Sequence, residues 1–564
     1  MHVREVAAGT EQQERSTQVQ WWRDAVVYQV YVRSFSDANG DGVGDLAGVR
    51  ARLPYLRELG VDALWFSPWY PSPMADSGYD VSDYRAIDPA FGTLEEAELL
   101  IAEARAAGIR TIVDIVPNHV SDQHPWFRAA LASEPGSPER ARFWFRPGAG
   151  LDGSSPPNGW QSIFGGPAWS RTGDGEWYLH LFAPEQPDLN WTHPDVWAEH
   201  EDVLRFWFDR GAAGVRIDSA ALLVKDPELA EETADAAPGE HPFTDRDGLH
   251  DIYRRWRAIA DGYGEPRVLV GEIWLPDPDR LARYLRPDEL HTAFNFDFLG
   301  CPWEAGRLRV SIESALAAHA PVDAPATWVL SNHDVTRPVT RYGRADSSFA
   351  FESKRAGTPT DLERGTRRAR AAALLTMALP GSMYVYQGEE LGLPEVEDIP
   401  FDRRQDPMWL RSGGVDPGRD GCRIPIPWSG VRPPYGFSDD GAARPWLDQP
   451  DDWARLTVAA ESDDPGSMLS LYRTGLRLRR ESPWSGDAPF RWLPTDDDVL
   501  AFARGDGFVC LVNFGSEPVA LPAGAELLIA SAELQGGVLS QDTTVWLRQA
   551  KGHSIGQDTF KEGR

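Results

Sequence analysis

Apolar residues come in short runs along this chain, and amphipathic stretches separate the runs. AVVYQVYV (25–32) is the first strand-like run. GVRARLPYLRELG reads as an amphipathic helix closed by a glycine, and VDALWFSP as a second strand. LEEAELLIAEARAAG predicts a helix and RTIVDIVPN (110–118) a third strand. The regularity then breaks: residues 120–190 are rich in Pro, Gly, Trp and Ser and show no clear βα unit. PDVWAEHEDVLRFWFDRG resumes the helical pattern and leads into GVRIDSA (214–220). GLHDIYRRWRAIADG precedes RVLVGEIW, and TAFNFD, ATWVLSN and SMYVYQ follow.

The strand-like runs fall at about 25–32, 62–67, 110–116, 214–218, 267–273, 292–297, 327–331 and 382–386. Strands alternating with helices predict a parallel sheet. Eight such units predict an α/β fold, a closed (β/α)8 TIM barrel. The irregular stretch after strand 3 reads as an inserted subdomain. Beyond the helix SMLSLYRTGLRLRRES, the alternating runs DVLAFARG, GFVCLVNF and AELLIA predict an all-β C-terminal domain, a β-sandwich. The expected division is a loose tail over 1–20, barrel over 21–119, inserted domain over 120–190, and barrel again over 191–482. The C-terminal domain spans 483–550 and a second loose tail 551–564.

In GVRIDSA, Arg216 and Asp218 are two apart on a strand and share a face. A guanidinium beside a carboxylate keeps it ionised and aimed. That arrangement serves a structural ion pair or a nucleophile. Catalytic groups on such barrels sit at the C-terminal ends of strands. Asn118 and His119 follow strand 3, Asp218 ends strand 4, Glu272 ends strand 5, and His333 and Asp334 follow strand 7. Two carboxyl groups flanking a glycosidic bond can cleave it. Asp218 suits the nucleophile. Glu272, followed by Ile273 and Trp274, is expected to be partly desolvated and so able to keep a proton as general acid. Asp334 is a third carboxylate that can orient Glu272 or bind sugar hydroxyls, and His119 and His333 can donate to hydroxyls. A catalytic metal is disfavoured, because no HxH or HxxxH lies nearby and Arg216 would repel a cation.

DANGDGVGD (37–45) places oxygens of Asp37, Asn39, Asp41 and Asp45 at every second position, and Val43 can add its carbonyl. Hard oxygen ligands at this spacing suit a structural Ca²⁺ or Mg²⁺. The EF-hand pattern fails, since position twelve is Gly48. A plain Asx-rich turn is the alternative reading. No organic cofactor is expected.

Composition narrows the partners. The chain is 42% hydrophobic and 25% charged, with a net charge of −30, which argues against nucleic acid and anionic membranes. The 23 tryptophans supply core packing and flat stacking faces of the kind sugars use. Three cysteines without a CxxC motif fit a reducing compartment, so a cytoplasmic location is expected. The N-terminus has no apolar signal-peptide core, and no apolar run is long enough to span a membrane.

DIVPNHV (114–120), GVRIDSA (214–220), GEIW (271–274) and SNHD (331–334) resemble, in order, the four signature regions of the α-amylase superfamily of glycoside hydrolases. QPDLN (186–190) resembles the extra motif of its oligo-1,6-glucosidase and α-glucosidase branch. The resemblance implies a retaining double displacement with Asp218 as nucleophile, Glu272 as acid/base and Asp334 as transition-state stabiliser. It implies a glucose subsite built from Tyr79 and Asp80 in GYDVSDY, His119, Arg216, His333 and Arg423. Arg423 opens RIPIPW where the branch usually reads RTPMQW. DxNxDxxxD looks like the branch's metal loop.

The expected activity is therefore an exo-acting α-glucosidase on disaccharides and short oligosaccharides. A transglycosylase or isomerase on the same fold, such as a sucrose isomerase or trehalose synthase, is the alternative. An oligo-1,6-glucosidase is another. A non-enzymatic transporter heavy chain is disfavoured, because all three carboxylates are kept. QPDLN disfavours an α-amylase, and a phosphosugar hydrolase would need a basic pocket. In the branch, Val after the nucleophile goes with α-1,6 cleavage and smaller or polar residues with α-1,4. Ser219 therefore points to α-1,4, with its side chain leaning off the opposite strand face and its Cβ crowding the acceptor side. Oligomeric state is not legible.

Overall fold

The computed structural model describes residues 20–549, apart from 234, 235, 238, 352, 353, 440, 483, 485 and 487. The expected loose tails fall outside these residues except for Gln20. In chain order the first strands are β1 (Val26–Val30), β2 (Ala63–Phe66) and β3 (Arg110–Ile115). Three short strands follow, β4 (Phe145–Pro147), β5 (Trp169–Arg171) and β6 (Glu176–Leu179). Then come β7 (Gly214–Ile217), β8 (Val268–Gly271), β9 (Thr292–Ala293), β10 (Thr327–Val329) and β11 (Ser382–Tyr386).

β1–β3 and β7–β11 form one parallel sheet in the order β10-β11-β1-β2-β3-β7-β8-β9. The circle closes between β9 and β10 through Asn295 N–H to Thr327 O at 3.3 Å and the paired hydroxyls of Thr292 and Thr327 at 2.5 Å. This is the (β/α)8 barrel predicted from the alternating pattern. The strands are buried on both faces, which is why they read as near-continuous apolar runs. Inside the barrel Ile112, Val270, Trp65, Phe294 and Tyr384 share one core, with Trp21 and Trp22 in the same cluster. Phe294 meets Tyr384 edge-on at 4.8 Å. At Gly214 a Cβ would stand 2.3 Å from Val268 Cγ1 and 2.5 Å from Val268 O, so glycine lets β7 lie tight on β8.

Surrounding helices carry the start signals their sequences predict. Thr93 accepts from the Glu96 amide and Glu96 accepts from the Thr93 amide, a capping box opening the helix Leu94–Ala106. Between β3 and β7, β4–β6–β5 make a small antiparallel sheet. Its core includes Trp144, Trp160, Trp169 and Leu181, and also Leu229 and Phe243 from the long segment after β7. Trp160 Nε1 donates to Ala230 O at 2.9 Å. The inserted sheet and the loop after β7 are thus one packed unit over the barrel mouth.

At the C-terminal end, β12 (Phe490–Trp492), β13 (Val499–Arg504), β14 (Phe508–Asn513), β16 (Glu526–Ala530) and β18 (Thr543–Arg548) form an antiparallel sheet in the order β12-β13-β14-β18-β16. β15 (Val519–Ala520) and β17 (Val538–Leu539) pair beside it. This sheet docks on the barrel helix Leu362–Ala378, where Trp546 Nε1 donates to Leu374 O at 3.0 Å. Among the described residues no helix is long and apolar enough to cross a membrane.

Candidate active site

The site is built on Arg216. Its strand, β7, pairs in register with β3 and β8, which sets Asp114 and Val270 beside it. The guanidinium is buried, and Nη1 donates to Asp114 Oδ1 at 2.9 Å and to Asp218 Oδ1 at 2.7 Å. Nη2 donates to Glu272 Oε2 at 2.6 Å. One cation therefore serves three acids, and it cannot neutralise all of them. Burial pushes Asp114 up to about 8 and Glu272 up to about 7, against the pull of Arg216. Burial also raises Asp218, which Arg216 and the Ser219 hydroxyl oppose. Asp114 lies deepest, taking Trp65 Nε1 and the Tyr79 hydroxyl, each at 3.1 Å.

Glu272 directly follows β8, and its two oxygens have different surroundings. Oε2 takes Arg216 and the Ser219 amide at 2.9 Å, while Oε1 takes the indole N–H of Trp274 at 3.0 Å. Ser219 departs from the strand-face expectation. β7 ends at Ile217 and Ser219 turns left-handed at φ 48°, so its side chain does not lean off the far face. Its hydroxyl instead donates to Asp218 Oδ2 at 2.8 Å.

A cavity of about 320 Å³ opens above these acids. Tyr79, His119, Asp218, Ser219, Glu272 and Asp334 line it, so these sequence-predicted residues are brought together. Burial would raise Asp334, but His333 and the guanidiniums of Arg419 and Arg423 hold it well below the usual carboxylate range. His333 itself is pushed down to about 3 by burial, so at neutral pH Arg419 and Arg423, with Arg216 below them, carry the effect. Burial likewise lowers His119 to about 4, leaving it neutral, with Gln186 Nε2 at 2.9 Å from its Nε2.

Four predicted subsite residues sit elsewhere than expected. Asp80 is turned away from the cavity: its carboxylate accepts from Ser72 Oγ at 2.8 Å and from the amides of Ala75 and Asp76 at 2.9 Å each. It caps a loop. The acid that does line the cavity is Asp76, four residues earlier. Arg423 lies behind Asp334, donating to its Oδ1 at 2.9 Å and to His333 O at 2.8 Å. The lining arginine is Arg419, which joins Asp334 at 3.2 Å, Asp76 at 2.6 Å and Asp406 at 2.6 Å. His333 stands behind Tyr79, ring on ring at 5.2 Å, and receives Gln29 Nε2 at 2.7 Å. Arg216 lies beneath the floor rather than in the wall.

Asp76, Arg419, and Phe164 and Phe182 of the inserted domain line the cavity without having stood out in the sequence, and Gln186 supports them from behind. Gln186 is the first residue of QPDLN and donates to Asp76 Oδ2 at 3.0 Å. Lys225 was not legible in the sequence either. This buried ammonium holds Asn118 Oδ1 at 2.5 Å, Leu222 O at 2.7 Å and Asp188 Oδ2 at 2.7 Å. It ties the loop after β7 to the end of β3 and to QPDLN.

In the loop after β1, Asp37 accepts from the amides of Gly40 and Gly42, and Asp45 from those of Ala38, Asn39 and Gly48. Asn39 accepts from Asp41 N, and Asp41 from Val43 N. These turns leave carboxylate lone pairs free, and Asp37 and Asp45 are buried. Among the described residues no group of three or more His, Cys, Asp or Glu is disposed to hold a metal ion. A cation in this loop would therefore need the Asn39 amide and Val43 carbonyl oxygens beside the acids, a donor set that suits a hard ion.

A parallel eight-stranded barrel whose C-terminal rim gathers acids around one cavity is a barrel enzyme, and its paired carboxyl groups fit glycosidic bond cleavage. The chain belongs to the α-amylase family of glycoside hydrolases: the family model "Alpha amylase, catalytic domain" matches residues 29–487. It is 37% identical over 523 residues to a probable alpha-glucosidase of Rhizobium meliloti, covering 88% of this chain and 90% of that one. It is 33% identical over 542 residues to a glucan 1,6-alpha-glucosidase of Streptococcus pneumoniae, covering 89% and 92%. The crystal structure of the alpha-glucosyl transfer enzyme XgtA matches with a TM-score of 0.82 at 33% identity, covering 94% of this chain and all of that one.

Proposed function

We propose that this enzyme is a retaining, exo-acting α-glucosidase that removes terminal α-linked glucose from disaccharides and short oligosaccharides, with α-1,4 links preferred. The observation that carries the reading is the shared guanidinium. Asp218 and Glu272 sit on adjacent nitrogens of Arg216. That bridging holds the two acids close together, as a retaining pair at about 5–5.5 Å requires.

Asp218 Oδ2 attacks the anomeric carbon while Glu272, raised to about 7 by burial, gives its proton to the departing oxygen. Water, deprotonated by Glu272, then opens the glucosyl ester, and the two inversions return the α anomer. Asp334 stays ionised and can stabilise positive charge at the sugar ring. Asp76, Arg419 and His119 present polar groups to a single glucose. Arg419 is the one arginine or lysine among the described lining residues, and three carboxylates already engage it, which disfavours a phosphosugar. The loop Asp37–Asp45 is proposed to hold a structural Ca²⁺ or Mg²⁺. Three free, buried cysteines support a cytoplasmic setting.

Parallel product analysis with maltose, isomaltose, sucrose, trehalose and kojibiose tests the reading, with NMR of the first-formed sugar. Glucose released as the α anomer supports it. An initial β anomer, or undiminished turnover in Asp218→Asn, overturns it. Conversion of sucrose or maltose to isomers without net hydrolysis would transfer the site to an isomerase.

A further inference from the structure

Above the acids the cavity changes character. Phe164 and Phe182 stand beside Arg419 and His119, and Ile163, Ala221, Leu222, Trp274 and Phe351 complete an apolar lining. Ile163 and Trp274 are 39% and 41% exposed, large apolar groups left open at the mouth. An exposed apolar patch inside a binding cavity marks a ligand contact.

The polar handles at this wall are already spent. Trp274 carries one donor, its indole N–H, and that is given to Glu272 Oε1 at 3.0 Å. Its ring is stacked on Phe296 at 3.6 Å and 10°, with Phe351 at 6.3 Å, so the indole is fixed as a flat apolar plate. The Ser219 hydroxyl is given to Asp218 and the Tyr79 hydroxyl to Asp114, which leaves Thr244 as the remaining hydroxyl among the described lining residues. A glucose unit seated there as leaving group or acceptor would bring several hydroxyls against a wall with few partners, and unpaired buried polar groups are penalised. An aryl or alkyl group would bring none.

We propose that the aglycone side of this cavity is an apolar-alcohol site, so that the enzyme transfers α-glucosyl groups to aryl and alkyl alcohols in preference to sugars. The inference rests on the α-glucosidase reading and names the acceptor class of that same site. In the step, the alcohol oxygen bonds to the anomeric carbon as the ester bond to Asp218 breaks. The electron pair leaves on Asp218, and the alcohol proton passes to Glu272, which gave up its own in the first half-reaction. Nothing is oxidised or reduced, and the alcohol takes the place of water.

The test uses p-nitrophenyl α-glucoside as donor and equal concentrations of benzyl alcohol or methyl β-glucoside as acceptor. Nitrophenol counts turnovers, and chromatography counts benzyl α-glucoside against disaccharide. We expect benzyl alcohol to capture at least tenfold more glucosyl groups than the sugar. Ile163→Asn and Phe351→Ser, both at the rim, should each lower that preference severalfold per glucosyl group transferred, with nitrophenol release counting the turnovers that each variant still makes. Equal or better capture by methyl β-glucoside, or a preference untouched in both variants, overturns the proposal. No nitrophenol from the wild-type enzyme would instead defeat the α-glucosidase reading itself.

Discussion

The hydroxyl of Ser219 donates to Oδ2 of Asp218 at 2.8 Å, from a backbone turned left-handed at φ 48°. A hydrogen bond to a charged group contributes about 1.5–3 kcal/mol. Ser219→Ala should therefore lower kcat/KM on maltose by roughly tenfold or more. Ser219→Val should lower the ratio of kcat/KM for maltose over isomaltose, because a branched side chain fills the acceptor edge. A single pocket contact discriminates by about 1–3 kcal/mol. The wild-type ratio should exceed one. A ratio below one, or no fall in the valine variant, would remove the linkage argument.

Activity should fall on the alkaline side. A general acid must hold its proton, and burial keeps that proton on Glu272 up to about pH 7. Because the shift is upward, the acid form persists to higher pH than an ordinary glutamate allows. Above that point kcat/KM should drop about tenfold per pH unit. Glu272→Gln should lose about 10²–10⁴-fold on maltose. With p-nitrophenyl α-glucoside, whose leaving group needs no proton, it should keep a nitrophenol burst that is flat across the same range. An unchanged alkaline limb in that burst would show that another group titrates.

Arg419 links Asp76, Asp334 and Asp406. Arg419→Lys should raise KM and lower kcat together, by a combined factor of about 10², because one ammonium cannot reproduce a fork that reaches three acids. A melt within a few degrees of wild type would separate lost catalysis from lost folding. Arg423→Lys, one layer back, should cost less.

Lys225 is a structural tie and not a contact of the cavity. Lys225→Met leaves the carboxylate of Asp188 buried without its cation, a loss of about 3–5 kcal/mol. The expected result is a clearly lower denaturation midpoint. The paired change Lys225→Met with Asp188→Asn should recover part of it. Equal stability of the wild type and the single variant would contradict the burial of this pair.

Chelation tests the Asp37–Asp45 loop. An ion that binds only the folded state stabilises it by linkage, so EDTA should lower Tm by several degrees and added Ca²⁺ should restore it. Asp41→Ala should abolish that response while leaving kcat unchanged. An EDTA-insensitive melt would leave the loop as a turn closed by its own amides.

Much of this protein was legible along the chain because the relevant physics is local and periodic. Buried strands read as apolar runs, helices as amphipathic ones, and Asp218 and Glu272 announced themselves by ending such runs. What the one-dimensional pattern determined was therefore the barrel and the acids fixed to its strands. The loops behave differently. Asp76 and Asp80 are acids four apart in a stretch without period, and only the folded loop shows Asp80 spent on the Ser72 hydroxyl and two amides while Asp76 turns inward. Arg419 and Arg423 raise the same difficulty, since which guanidinium reaches the cavity depends on how the segment packs behind Asp334. Ser219 was misplaced because strand alternation was extended two residues past the strand's end, into a left-handed turn. Lys225, Asn118 and Asp188 meet across more than one hundred residues of chain. Such meetings are decided by tertiary structure, because burial and hydrogen-bond satisfaction depend on every neighbour at once and not on spacing along the chain.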